Sequence, residues 1–225
     1  MSNSQISADN NEKQSNTAKP NVILLGFFIL GIGMLIIAGA YQVWEIVQDS
    51  PPSTNDGYTG SVYEPPVEIS DFTLPASTGN DLSLSDLEGQ YVLMFFGYTF
   101  CPDVCPTTLA EFRQVKSILG EEARNVTFLF ISVDPERDTP DIVREYVEHF
   151  DADFIGMSGD DEILAEIGEP FGLFYQRWEE DGSNYPVDHT GRSFLLDPQG
   201  NLVMSFAYGT DATVIADGVR QMMRQ

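Results

Sequence analysis

Both cysteines of the chain lie in one pentapeptide, Cys101-Pro102-Asp103-Val104-Cys105, where a continuous apolar run passes into a helical pattern. A thiol at a helix N-terminus meets unpaired backbone N–H groups and the positive end of the helix dipole, and both favour thiolate. Residues i and i+4 share a helical face, so a helical first turn through Cys101 would bring the two sulfurs together. Pro102 and Pro106 suit early helical positions, where no N–H is required. Two adjacent thiolates can close a disulfide or hold a soft metal ion. Three residues separate them, one more than in the Cys-x-x-Cys redox motif, and the wider loop leaves room for an ion. A purely structural disulfide is the weaker reading, because so short a loop constrains the unfolded chain little. Two inert core cysteines fit a Pro-flanked strand–helix turn poorly. Spacing alone leaves the redox and metal roles evenly balanced.

The elements that must position this pair can be read from the pattern. Ser70–Leu74 alternates like a strand, and Leu82 and Leu84 continue after a Ser77-Thr78-Gly79-Asn80 turn. Ser85-Asp86-Leu87-Glu88 has capping-box spacing for a short helical turn. Tyr91–Gly97 is a continuous apolar run, as a strand buried on both faces requires, and Val126–Val133 reads as a second buried strand. Between them Leu109, Phe112, Val115 and Leu119 recur at helical spacing. Thr139-Pro140 starts a helix whose apolar face is Ile142, Val143, Tyr146 and Val147. Asp160 caps a helix through Ile163, Leu164 and Ile167. Ser193–Leu196 and Leu202–Phe206 flank the hairpin signal Asp197-Pro198-Gln199-Gly200-Asn201, and a last helix covers about Asp211 to Met223. The order predicts an α/β layer fold with a thioredoxin-like mixed sheet flanked by helices.

That fold gives one of the two histidines a role. His149, in a Glu-Tyr-Val-Glu-His-Phe stretch, reads as an ordinary helix-end residue. His189, in Pro186-Val187-Asp188-His189-Thr190, lies in a loop just before the strand Ser193–Leu196, and in thioredoxin-like folds that loop faces the active-site helix. Cys101, Cys105 and His189 then make a Cys2His set. Thiolate selects Cu(I) or Zn, and imidazole supports copper in either oxidation state. Asp188 is a candidate to order the loop. Met94, Met157 and Met204 read as core, as do Phe95, Phe96, Phe128, Phe130, Phe154 and Phe206. No Met cluster, phosphate-cradling Gly-rich loop or zinc His pair is present in the sequence.

The 225 residues divide into four parts: a polar tail over 1–21, an apolar anchor over 22–47, a linker over 48–61 and a domain over 62–225. Val22–Trp44 carries no charge over 23 residues, and as a helix it would run about 34 Å, enough for a hydrocarbon core of roughly 30 Å. Tyr41 and Trp44 fit an interfacial belt, and Lys13 and Lys19 put the positive flank on the N-terminal side. The expected product is a single-pass cell-membrane protein with a cytoplasmic N-terminus and an extracytoplasmic (periplasmic or outer-face) domain. A cleaved signal peptide ending near Ala38-Gly39-Ala40 is the alternative, and it exports the same domain. Eleven Lys and Arg against 35 Asp and Glu give a net charge of −24. Such a field excludes nucleic-acid binding by phosphate neutralisation. From residue 62 onward there are 9 cations and 30 acids, read mainly as a solvated surface that modestly favours cationic partners and metal ions.

Phe96-Gly97-Tyr98-Thr99-Phe100-Cys101-Pro102-Asp103-Val104-Cys105-Pro106-Thr107-Thr108 resembles the signature of the Sco/SenC family. Ser132-Val133-Asp134-Pro135-Glu136-Arg137-Asp138-Thr139-Pro140 and Val187-Asp188-His189-Thr190 resemble its other two motifs, in the same order. The similarity runs from about Val62 to the end. It implies a copper metallochaperone with Cys101, Cys105 and His189 as ligands. It also implies a role in maturing the copper A centre of cytochrome c oxidase subunit II, or of another copper-receiving protein. The alternative activity is that of a thiol–disulfide reductase for the same cysteines, with Cys101 and Cys105 as the redox pair and a thiol reductant protein as its own partner. A sensor role is not separated from the first by sequence. Phe100 departs from relatives that carry His before the first Cys, and Asp134 and Arg137 read mainly as loop-structuring.

Overall fold

The structure, a computed structural model, describes residues 60–178 and 185–225. The expected tail, anchor and nearly all of the linker lie outside the described residues. Among the described residues, no helix is long and apolar enough to cross a membrane.

Among the described residues, ten strands and four α-helices follow in the order β1 (Ser61–Val67), β2 (Thr73–Pro75), β3 (Asp81–Ser83), β4 (Tyr91–Gly97), α1 (Val104–Leu119), β5 (Val126–Ser132), α2 (Pro140–Glu148), β6 (Ile155–Ser158), α3 (Asp161–Gly168), β7 (Tyr175–Arg177), β8 (Val187–His189), β9 (Arg192–Leu196), β10 (Leu202–Ala207) and α4 (Ala212–Met223). Six strands form one mixed sheet in the order β1-β10-β9-β4-β5-β6. β4, β5 and β6 are parallel and joined by the helical crossovers α1 and α2, whereas β9 runs antiparallel to β4. The central strands β4 and β5 are almost entirely buried, which is why their sequences are mainly apolar rather than alternating, with Thr127 and Ser132 the polar residues of β5. α1 and α4 pack on one another, and α2 packs on β6. The Met and Phe residues read as core are all buried.

Local signals set most boundaries. Thr139 caps α2, with Pro140 at its first position, and Asp160 caps α3 by accepting from the Ile163 N–H at 3.1 Å. Four readings are corrected. The short reciprocal cap sits two residues earlier than expected, with Ser83 donating its N–H to Asp86 Oδ2 at 2.9 Å, because Ser85 is taken by Asp71 through both its N–H and its hydroxyl. The strand expected from Ser70 begins only at Thr73. The domain's first strand is β1, which begins at Ser61, the last residue assigned to the linker. Its Pro65 and Pro66 hide it from a pattern search, yet they are tolerated because β1 is an edge strand with an irregular register opposite β10. Finally, His189 does not lie in a loop. It ends β8, which pairs antiparallel with β7 in a separate two-stranded ribbon.

Sheet register explains how three sequence motifs meet. β4 and β5 are in parallel register from Tyr91↔Val126 to Gly97↔Ser132, so the segments after both strands leave from one sheet end. β9 is antiparallel, with Ser193 opposite Phe95, so the chain preceding β9 enters at that same end. The cysteine segment, the Ser132–Pro140 segment and His189 therefore converge beyond the C-terminal ends of β4 and β5, where open α/β sheets place their sites.

Candidate metal centre

The cysteine segment turns away from β4 through a bond from the Cys101 N–H to the Tyr98 carbonyl at 3.3 Å. Helix α1 starts only at Val104, with Asp103 as its cap residue. Cys101 thus lies outside the helix, contrary to the expectation of a helical first turn through it. The backbone at Asp103 (φ −142°, ψ −73°) is the cause: it bends the chain before the helix begins. Pro106 is the third helical residue, where its missing N–H leaves nothing unpaired. The sulfurs meet all the same, because Cys101 Sγ folds back over the helix start and accepts the Cys105 N–H at 3.5 Å.

Cys105 is fully buried and Cys101 half-buried. Gly97, the last residue of β4, makes room for the inner thiol, since a Cβ there would stand 2.8 Å from Cys105 Sγ. The Cys101 thiol is held well below its ordinary range, first by the hydrogen bond from the Cys105 thiol, then by His189 and the backbone N–H groups at Cys105 and Asp103, against the desolvation of partial burial. Burial and the adjacent Cys101 push the Cys105 thiol strongly up. The two shifts run in opposite directions, which favours the thiolate at half-buried Cys101 and the thiol at buried Cys105.

His189 Nε2 lies 3.3 Å from Cys105 Sγ. Its Nδ1 faces the Thr190 carbonyl at 3.2 Å, so with the proton on Nδ1 the Nε2 lone pair is open to an ion, whereas a proton on Nε2 is the one donated to the thiolate. The rings of Phe95 and Tyr98 meet the imidazole edge-on, each with its centroid 5.7 Å away. Asp188, the candidate to order this segment, accepts the Trp178 Nε1–H at 3.0 Å and so ties β8 to the residue that follows β7. Alternation along β8 turns its side chain to the opposite face of the ribbon.

One ligand atom from each of Cys101, Cys105 and His189 lies within 4.8 Å of the others. An ion about 2.0–2.3 Å from sulfur and nitrogen donors spaces them by roughly 3.5–4 Å, so the set closes on an ion with small side-chain movements. Two sulfurs and an imidazole form a soft donor set. The site opens to solvent through a pocket of about 320 Å³ lined by Tyr98, Asp103, Val187, Asp188, Gly191 and Tyr208 besides Cys101 and His189. His149 caps the end of α2 on the surface, as expected.

Residues that spacing did not single out hold the three segments together. Asp138 is fully buried and accepts from the Thr99 N–H (2.9 Å), the Thr99 hydroxyl (2.6 Å) and the Ser132 hydroxyl (2.6 Å), clasping the cysteine segment to the end of β5. Desolvation raises its pKa, and those three donors offset part of the rise. Arg137 pairs through Nε with the buried Asp134 and donates from Nη1 to the Tyr185 carbonyl at 2.8 Å. Its guanidinium lies 3.7 Å from the Tyr185 ring centroid and 5.0 Å from that of Phe100. Arg177 reaches from β7 to the Val133 carbonyl at 3.0 Å and to Asp161 at 2.5 Å. The loop-structuring reading of Asp134 and Arg137 therefore stands, and both reach further, to the segment that leads into His189. Buried acids and arginines inside a motif are the signal that could have marked them.

The sheet order, the crossovers and a dithiol at the end of β4 define the class: a thioredoxin-like protein whose dithiol is joined by a distant imidazole into a soft-metal donor set. A sequence model of the SCO1/SenC family matches residues 62–224, and the chain belongs to that family. It is 32% identical over 196 residues to a SCO2-like protein of Rickettsia felis, covering 86% of this chain and 91% of the relative. The crystal structure of Arabidopsis thaliana ScoI with copper bound aligns with a TM-score of 0.65 at 34% identity, covering 70% of this chain and 98% of that one. Bradyrhizobium japonicum ScoI with copper bound gives 0.62 at 36% identity, covering 68% and 99%.

Proposed function

We propose that this chain is a copper metallochaperone that holds the metal through Cys101 Sγ, Cys105 Sγ and His189 Nε2. It then passes copper to the copper A centre of cytochrome c oxidase subunit II or to another copper-receiving protein. The convergence of the three donors within 4.8 Å carries the reading, and the two ScoI relatives solved with copper bound support it. Two thiolates with Cu(I) leave a net −1 at the site, and with Cu(II) the site is neutral. Copper supplies no chemistry here; it is the cargo. The chain's part is to keep Cys101 ionised, to release the Cys105 proton when the ion enters, and to hold Nε2 free by engaging Nδ1. The apolar run at residues 22–47 would anchor the domain on the extracytoplasmic side of the cell membrane, with the N-terminus in the cytoplasm.

Anaerobic titration of the reduced chain with Cu(I) and Cu(II) is the test. One equivalent should bind, and His189→Ala should weaken Cu(II) binding at least tenfold and change its visible spectrum. An unchanged affinity and spectrum would remove the imidazole from the site.

The thiolate character of Cys101, with a protonated Cys105 directly behind it, favours a second activity of the same pair. Cys101 S⁻ would attack a disulfide sulfur of the recipient and expel one thiolate. Cys105, losing its proton, would then close Cys101–Cys105 and release the second. Two electrons pass to the recipient, and a thiol reductant protein restores the dithiol. Catalytic turnover of a recipient disulfide, lost in Cys101→Ser, distinguishes this from stoichiometric copper transfer.

A further inference from the structure

Tyr98 follows the last residue of β4 and lines the pocket that opens onto the dithiol, yet it is only 4% exposed. A buried tyrosine hydroxyl ordinarily finds a hydrogen-bond partner. This one faces the backbone N–H of Val187 and the sulfur of Cys101. The ribbon accounts for the first contact. The Trp178 N–H donates to the Pro186 carbonyl and the Thr190 N–H to the Phe174 carbonyl, so Pro186 and Thr190 direct their backbone groups at β7. Val187, the next residue after Pro186 and opposite Arg177, therefore turns its N–H away from β7. A hydroxyl that meets this N–H with its oxygen has its one proton left to give, and the sulfur is there to take it. Burial, ahead of any neighbour, raises the Tyr98 pKa, so the proton is retained. Packing fixes the ring: His189 meets it edge-on with centroids 5.7 Å apart, and the Arg137 guanidinium lies 5.6 Å from its centroid.

Metal entry changes what the Cys101 sulfur touches. In the metal-free site its thiolate is favoured first by the Cys105 thiol, then by His189, then by the backbone N–H groups of Cys105 and Asp103. Once an ion is held, the first two are ligands. Cys105 has given up its proton and Nε2 directs its lone pair at the metal, so neither donates to the sulfur. The two backbone N–H groups remain, and the Tyr98 hydroxyl is a side-chain donor that coordination does not use up. Hydrogen bonds to a coordinating cysteine sulfur tune the potential of copper.

We propose that Tyr98 is a positioning residue whose hydroxyl donates to Cys101 Sγ in the copper-loaded site and, by drawing electron density from that sulfur, shifts the bound metal toward Cu(I). The inference rests on the copper reading above. A hydrogen-bonded thiolate is the poorer electron donor, and the loss is felt more by Cu(II) than by Cu(I). Through Val187 the same hydroxyl joins Cys101 to the strand that carries His189, so one group touches the supports of both outer ligands.

The test uses the full chain in detergent, as wild type and as Tyr98→Phe, which keeps the ring and removes only the hydroxyl. Loaded with Cu(II), the variant should show its sulfur-to-copper charge-transfer band at longer wavelength. In a mediated redox titration Cu(II) should gain on Cu(I) by about tenfold, a fall of about 59 mV for one electron. A ring-fluorinated tyrosine at position 98, the stronger hydrogen-bond donor, should move both readings the other way, and it replaces Tyr98→Phe should that variant not fold. Without metal, iodoacetamide should alkylate Cys101 of Tyr98→Phe about threefold faster than wild type near pH 8, because a sulfur relieved of a hydrogen bond is the better nucleophile. An unchanged band or potential, shifts of the opposite sign, or alkylation no faster than wild type would each overturn the hydrogen bond. Failure of the wild-type chain to load copper would overturn the copper reading itself, and the alkylation ratio would still decide whether the hydroxyl reaches Cys101.

Discussion

A Cβ added at Gly97 would stand 2.8 Å from Cys105 Sγ and from a Phe95 ring carbon, and 2.9 Å from one of Phe130. All three neighbours belong to buried, close-packed side chains, so none can retreat freely. Gly97→Ala is expected to destabilise the domain by about 1–3 kcal/mol in urea unfolding and to weaken copper binding by displacing the inner sulfur. Wild-type stability together with wild-type affinity would show that Cys105 is not confined by β4. The opposite shifts of the two thiols make a separate prediction. An ordinary thiol ionises near 8.5 and loses reactivity about tenfold per pH unit below that. Cys101, held as thiolate by Cys105 and His189, should be alkylated by iodoacetamide at a rate varying less than about threefold from pH 8 to pH 5. Mass spectrometry should find the label on Cys101 alone, because burial keeps Cys105 protonated. A tenfold loss per unit would mean that the thiolate is not held at Cys101 in this way.

Three elements deliver the site, and they were unequally legible. β4 announced itself because a strand buried on both faces need carry no polar positions, and β5 did so despite its buried Thr127 and Ser132. Thr139 and Asp160 marked helix starts because a side-chain cap is a local interaction. The three donor residues were legible from residue type and order, but their supports were not. β7 and β8 are three residues each and mix Gln176, Arg177 and Asp188 with apolar neighbours, so the ribbon carrying His189 leaves no periodicity. The group opposite Nδ1 is a backbone carbonyl, and a carbonyl has no signature in sequence. Arg137 shows what the hidden part does. It joins Asp134, the Tyr185 carbonyl and the Phe100 ring, and so fastens the cysteine segment to the approach to β8. Arg137→Met keeps much of the volume but strips a buried carboxylate of its closest cation, for which a loss of about 3 kcal/mol is expected. Copper affinity should drop further than stability alone explains, through a looser imidazole. Iodoacetamide labelling of Cys101 should persist, since its thiolate depends first on Cys105 and less on His189. A variant with wild-type affinity would detach Arg137 from the positioning of His189.

At the scale of the whole molecule the excess of acid acts twice, with opposite signs. From residue 62 onward, 9 cations face 30 acids. Several cations are already committed to pairs, Lys116 with Asp151 and Asp153, Arg220 with Glu122, and Arg144 with Asp141. Exposed pairs of this kind contribute about 0–1 kcal/mol each, and even complete pairing leaves 21 acids repelling one another in the folded state. Raising salt from about 20 mM to 0.5 M shortens the screening length from roughly 20 Å to 4 Å. Repulsion among the acids should be relieved more than the few pairs are weakened, so Tm should rise by several degrees. The same screening removes the field that concentrates cations near the surface. The second-order rate of copper capture should therefore fall over the salt range in which Tm climbs, read by scanning calorimetry and stopped-flow absorbance on one preparation. A Tm that falls with salt would mean that the ion pairs outweigh the acid excess. A capture rate indifferent to salt would confine the charge to solubility, leaving the two sulfurs and the imidazole to attract the ion by coordination alone.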